Sequence, residues 1–160
     1  MKKLGKIVSI KTVENLELKP VSTLEGKNGA RLGFSQMINS ISGFGGKDGY
    51  SIKTDKHEWY ILIDNGQSCC ESWGYITSDD NFDKYTGKEL VEVKLTDKEL
   101  NSKMLEGFEY GFDAGGIQFV DFKFSDGDVL QFAVYNGHNG YYGHDILVTK
   151  DNKILLNEVI

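Results

Sequence analysis

Two short segments hold most of the residues able to do chemistry. The first runs Asp64-Asn65-Gly66-Gln67-Ser68-Cys69-Cys70-Glu71-Ser72-Trp73-Gly74-Tyr75, and it holds both cysteines of the chain. The second runs Tyr135-Asn136-Gly137-His138-Asn139-Gly140-Tyr141-Tyr142-Gly143-His144-Asp145, and it holds two of the three histidines. Two cysteines and two histidines make the four nitrogen and sulfur ligands of a closed tetrahedral zinc site. If Cys69, Cys70, His138 and His144 all bind, no position is left for water and the metal is structural. If three bind, a zinc-bound water is available for activation. Asp145 or Glu71 then serves as base or as a group orienting a ligand. The structural version is preferred, because no other acid–base group is placed convincingly at this locus.

The local conformation decides whether both thiols reach one site. On a strand, Cys69 and Cys70 point to opposite faces. On a helix start, Ser68 and Glu71 match the Ser-x-x-Glu capping box. Both cysteines then sit in the first turn, where the partial positive charge of the helix end favours thiolate. The capped turn is therefore the expected arrangement. Two buried apolar cysteines are the plain alternative. A cysteine nucleophile with a histidine base is another.

The histidines raise a geometric difficulty. A two-residue hairpin at Asn139-Gly140 pairs His138 with Tyr141 and leaves His144 on the other face. A shared site needs a wider loop. His144 has the strand phase of Ile146 and Val148, so an inward direction is expected, and an inward histidine needs a hydrogen-bond partner or a metal. His57, beside Trp59 in a charged stretch, reads as a surface residue.

The elements that must position these residues read as strands. The chain has 160 residues, 19 glycines and one proline, which fits one domain of short strands and tight turns. Expected strands are Lys6–Val13, Tyr50–Thr54 and Glu58–Ile63 about an Asp55-Lys56 turn, and Leu90–Leu95. Further ones are Ile117–Phe124, Val129–Tyr135, and Asp145–Thr149 with Lys153–Ile160 about Asp151-Asn152. Leu32 to Ile41 fits helix and strand equally, and residues 79–86 read as a short helix ended by Gly87. The fold class is mostly β (α+β): one antiparallel meander with one or two short helices, a single domain over 1–160.

Composition narrows the function classes. Residues 1–60 carry 10 Lys and Arg against 6 Asp and Glu; residues 61–160 carry 8 against 18. The two stretches are thus +4 and −10, and the net charge is −6. Such a chain repels phosphate, so direct nucleic-acid binding is not expected. No apolar run approaches the roughly 20 residues of a membrane span. Met1-Lys2-Lys3-Leu4-Gly5-Lys6 lacks the apolar region of a secretory signal. Adjacent cysteines make no disulfide framework, so a reducing compartment, the cytoplasm, is expected.

Ser68-Cys69-Cys70-Glu71-x-Trp73-Gly74-Tyr75 together with His138-Asn139-Gly140-Tyr141-Tyr142-x-His144 resembles a family of small proteins carried by phages and mobile elements of Firmicutes. The resemblance covers roughly residues 50–150. Small acidic proteins of such elements include anti-CRISPR inhibitors, among them a zinc-containing inhibitor of a type II RNA-guided nuclease. The resemblance implies a non-enzymatic protein acting in the host cytoplasm, with a bacterial CRISPR effector nuclease as partner. Glu71, Trp73, Tyr141, Tyr142 and Asp145 stand as binding residues beside the four candidate ligands. Two other classes stay open. One is a nucleotide-signal binder stacking a base on Trp73, Tyr141 or Tyr142. The other is a thiol- or metal-dependent hydrolase.

Overall fold

A computed structural model describes residues 2–16, 46–66, 71–97, 100, 114–138 and 143–160. Nine strands appear among them: β1 (Gly5–Leu16), β2 (Lys47–Thr54), β3 (Glu58–Asp64), β4 (Glu71–Thr77), β5 (Glu89–Thr96), β6 (Ala114–Phe124), β7 (Val129–His138), β8 (Asp145–Lys150) and β9 (Lys153–Val159). All pairings are antiparallel, and one sheet runs in the order β4-β7-β6-β5-β1-β2-β3-β8-β9. The protein is mostly β, as its alternating apolar residues require.

Neighbouring strands form a meander only in runs: β1-β2-β3, β5-β6-β7 and β8-β9. Strand β4 leaves the β3 edge and pairs with β7 instead. The expected helix over 79–86 is a single 3-10 turn, Phe82–Tyr85, followed by Gly87 at φ +85°. It is the one helical element among the described residues. No helix of the described residues is long and apolar enough to cross a membrane. The ambiguous segment Leu32–Ile41 lies outside the described residues.

The sheet folds back on itself at β1. That strand pairs with β2 from Ile7 to Leu16 but with β5 only at Gly5 and Lys6. The inner face of β4-β7-β6-β5 therefore meets the inner face of β2-β3-β8. Trp59 packs edge-on to Phe122 at 5.6 Å, and Tyr50 meets Phe132 at 4.8 Å and Tyr75 at 5.3 Å between ring centroids. Such tilted and T-shaped contacts suit ring quadrupoles. Ile52, Ile61, Ile63, Phe124, Leu130, Val134, Ile146 and Val148 fill the rest of this core. Leu62 and Leu147 form a smaller cluster on the opposite face of β3 and β8. Turns match their residues: Asp151 and Asn152 take φ +50° and +65° between β8 and β9, the geometry of a two-residue hairpin.

Candidate functional site

The two segments singled out in the sequence meet through β4 and β7. Glu71 opens β4 directly opposite His138, the last residue of β7, and His138 also faces Ala114 of β6. Glu71 is thus extended, so it cannot be the third residue of a helix capped by Ser68. The capping-box expectation is corrected by the strand: Trp73 and Tyr75 alternate toward the core, and the seven pairs to β7 satisfy the backbone better than one helical turn. Cys69, Cys70, Tyr141 and Tyr142 lie outside the described residues.

The simple Asn139-Gly140 hairpin is also corrected. β8 does not pair with β7; it pairs with β3 and β9. β7 and β8 therefore lie in different halves of the sheet and are not the two arms of one hairpin.

His144 points inward, in phase with Ile146 and Val148, and is 2% exposed. Its ring Nδ1 lies 2.6 Å from the Asp64 carbonyl oxygen. A carbonyl can only accept, so Nδ1 carries the proton, and in the neutral ring Nε2 is then the lone-pair nitrogen. Trp73 stacks on the imidazole at 5.2 Å with 27° between planes. The His144 backbone exchanges two hydrogen bonds with Ile160, donating at 2.8 Å and accepting at 2.9 Å. Asn136 Nδ2 donates to the same Ile160 carbonyl at 2.9 Å. His144 is therefore fixed in position, rotamer and tautomer from three sides.

Three charged residues, Lys47, Asp64 and Asp145, lie near it on the opposite face of the sheet. Lys47 pairs with Asp64 across β2 and β3. Ile63 pairs with Ile146, so Asp64 and Asp145 are the next positions of β3 and β8. Lys47 is 2% exposed and its Nζ has no hydrogen-bond partner. Burial pulls the Lys47 amine below the ordinary lysine range, and the charges of Asp64 and Asp145 oppose this only in part. Burial pushes the Asp145 carboxyl up; Lys47 counters it, Asp64 adds to it, and His144 counters it slightly. Sequence reading missed Lys47 and Asp64. The one signal was the position of Asp64 at a strand end, just before the Asn65-Gly66 turn.

His57 is partly exposed, with Nδ1 2.6 Å from Asp151 Oδ2, while the Glu58 amide holds Asp151 Oδ1 at 2.9 Å. It serves the β8–β9 turn. Among the described residues, no group of three or more His, Cys, Asp or Glu is arranged to hold a metal ion; both cysteines lie outside that set.

A family model described as "Domain of unknown function (DUF7448)" matches residues 4–148. The chain belongs to that family. The match spans β1 through most of β8 and includes both motif segments. No curated protein and no solved structure matches the chain.

Proposed function

We propose that this DUF7448 protein is a non-enzymatic inhibitor that binds a type II RNA-guided DNA nuclease in the cytoplasm of its bacterial host, with a structural zinc ion tying residues near 70 to residues near 140. His144 carries the metal part of this reading. Its Nδ1–H is spent on the Asp64 carbonyl, so Nε2 is the nitrogen that a metal takes. Zinc-binding histidines are oriented by this kind of hydrogen bond to the second nitrogen. Cys69, Cys70 and His138 complete the proposed donor set, and β4–β7 pairing makes Glu71, the residue after Cys70, the neighbour of His138.

The partner is supported by the resemblance of the two motifs and by charge. The −10 of residues 61–160 suits a basic groove built for nucleic acid. Trp73 already gives a ring face to His144, which favours a structural role for it over base stacking.

Elemental analysis tests the metal. Purified protein is expected to hold about one zinc per chain. Cys69→Ala, Cys70→Ala, His138→Ala and His144→Ala should each lose it, with a lower melting temperature. Zinc-free wild-type protein sinks the metal site. A DNA-cleavage assay with a type II nuclease tests the partner: cleavage should fall on adding the protein, and binding should weaken as salt rises. Undiminished cleavage, or binding indifferent to salt, overturns the inhibitor reading.

A further inference from the structure

Strand β9 ends one side of the sheet, and among the described residues β8 is its only neighbour. His144 and Ile160 exchange both main-chain hydrogen bonds. In an antiparallel pair, residues bonded this way alternate with residues whose N–H and C=O point away from the partner strand. Glu158, opposite Ile146, and Leu156, opposite Val148, therefore face β8 as Ile160 does. Asn157 and Val159 turn their N–H and C=O outward, to the open edge. Two apolar side chains stand along it. Val159 is 65% exposed and Leu155 45%, and they are two of the four exposed large hydrophobics among the described residues.

The start of the strand is guarded against pairing. Lys153 is charged, and the register shift between Val148 and Thr149 makes Leu155 the extra residue of a bulge. Beyond the bulge the one charge is Glu158, whose main-chain groups are already turned to β8. Leu155 to Val159 is thus an open, largely apolar length of edge, the kind that accepts another strand.

We propose that β9 pairs antiparallel with β9 of a second copy of this chain, about a two-fold axis at Asn157. Symmetry selects that register. A two-fold axis normal to a sheet sets one residue opposite its own copy. That residue can bond its copy only if its N–H and C=O face the edge, as those of Asn157 do. Asn157 also lies midway between the two exposed apolar residues. Val159 of each copy then meets Leu155 of the other, and both lose water. The two Asn157 side chains come opposite each other, and an amide both donates and accepts, so the pair can exchange hydrogen bonds. Each copy spends its β9 edge on the other, so the assembly stops at a dimer.

Charge sets how the dimer responds to salt. Strand β9 carries one lysine and one glutamate, while the whole chain is −6. The contact is neutral, but the two molecules repel at a distance. Salt screens that repulsion, so the dimer tightens as salt rises. The proposed nuclease contact has the opposite dependence, which keeps the two distinguishable. The edge is short and the buried area small, so the dimer is of the weak, concentration-dependent class.

Sedimentation velocity of the purified full chain, from about 5 to 500 µM at low and high salt, tests this. The mass should climb from 17.9 kDa toward twice that value with concentration, and further at high salt. Asn157→Pro removes an N–H that faces the edge and takes no hydrogen bond from β8. Val159→Lys puts a charge at an exposed position. Each should weaken the dimer by about tenfold or more, with a wild-type circular dichroism spectrum. Asn157→Cys reads the register: under mild oxidation it should form a disulfide to its own copy, located by peptide mass. Glu158→Cys, whose copies lie off the axis, should not. A wild-type chain that stays monomeric at every concentration overturns the proposal. So does a dimer untouched by both edge variants, a dimer that a metal chelator dissolves, or cross-linking at 158 in place of 157.

Discussion

Tyr50 shows what burial does to a single titrating group in this core. It is 3% exposed among Tyr75, Phe82 and Phe132. Burial first, and then the neighbouring Tyr75, Tyr135 and Asp80, push its hydroxyl far above the ordinary tyrosine range. The sign follows from linkage. Below about pH 10 the hydroxyl is neutral in both folded and unfolded chains, and stability does not depend on it. Above that, the unfolded chain ionises first, so stability falls as pH rises toward the folded value. Tyr50→Phe should flatten this alkaline loss, read as the difference in urea midpoint between pH 9 and pH 11. An unchanged slope would mean the hydroxyl ionises freely. At this scale the sequence was readable where phase alone decides. His144 shares its strand phase with Ile146 and Val148, and all three are buried. Lys47 was not readable, because nothing local distinguishes a lysine at a strand start on the surface from one under a covered face.

Strands and turns carry their own test in two glycines. Gly49 in β2 has φ +152°, and a Cβ there would lie 1.9 Å from the Ile61 carbonyl oxygen of β3. Gly127, in the β6–β7 turn, has φ +93° and open space around it. Gly49→Ala must push two paired strands apart and is expected to cost more than about 3 kcal/mol. Gly127→Ala meets only backbone strain, about 1–2 kcal/mol. Chemical denaturation of both variants should separate them clearly, and equal costs would place β2 and β3 in a different register. Most strands could be read from alternation, as with Leu130, Phe132 and Val134 against Gln131 and Ala133 in β7. The Ser68–Glu71 segment misled because a four-residue capping pattern is a weak local preference. The pairing of β4 with β7, sixty residues away in the chain, outweighs it.

For the whole molecule, the decisive contacts are those between the two faces of the folded-back sheet. Trp59 is fully buried against Phe122, so Trp59→Ala should cost about 3–5 kcal/mol. If the two halves share one core, tryptophan fluorescence and far-ultraviolet circular dichroism should trace one coincident unfolding transition. Separate midpoints would mean that the halves are independent units. The class of fold could be anticipated from glycine content and alternation; the strand order could not. Which edge accepts β4, and that β8 returns to β3, depend on matching faces across long stretches of chain, for which no local residue is a marker. The far side of the sandwich is joined by Asn136 and His144 on the Ile160 backbone.

The order of the strands has a consequence for how the chain is made. Strands β4 to β7, residues 71–138, are consecutive, and they form one half of the sheet. The other half is split: β1, β2 and β3 precede that block, and β8 and β9 follow it. A ribosome therefore delivers the first three strands well before the pair that completes their layer. Until residues 145–160 emerge, the β3 edge lacks its neighbour β8, and Leu62 lacks its neighbour Leu147. Strands in that position invite wrong partners. The block 71–138 can assemble meanwhile, offering its inner face as a template for the waiting strands. The segment 145–160 then acts as the clasp that ends the vulnerable interval.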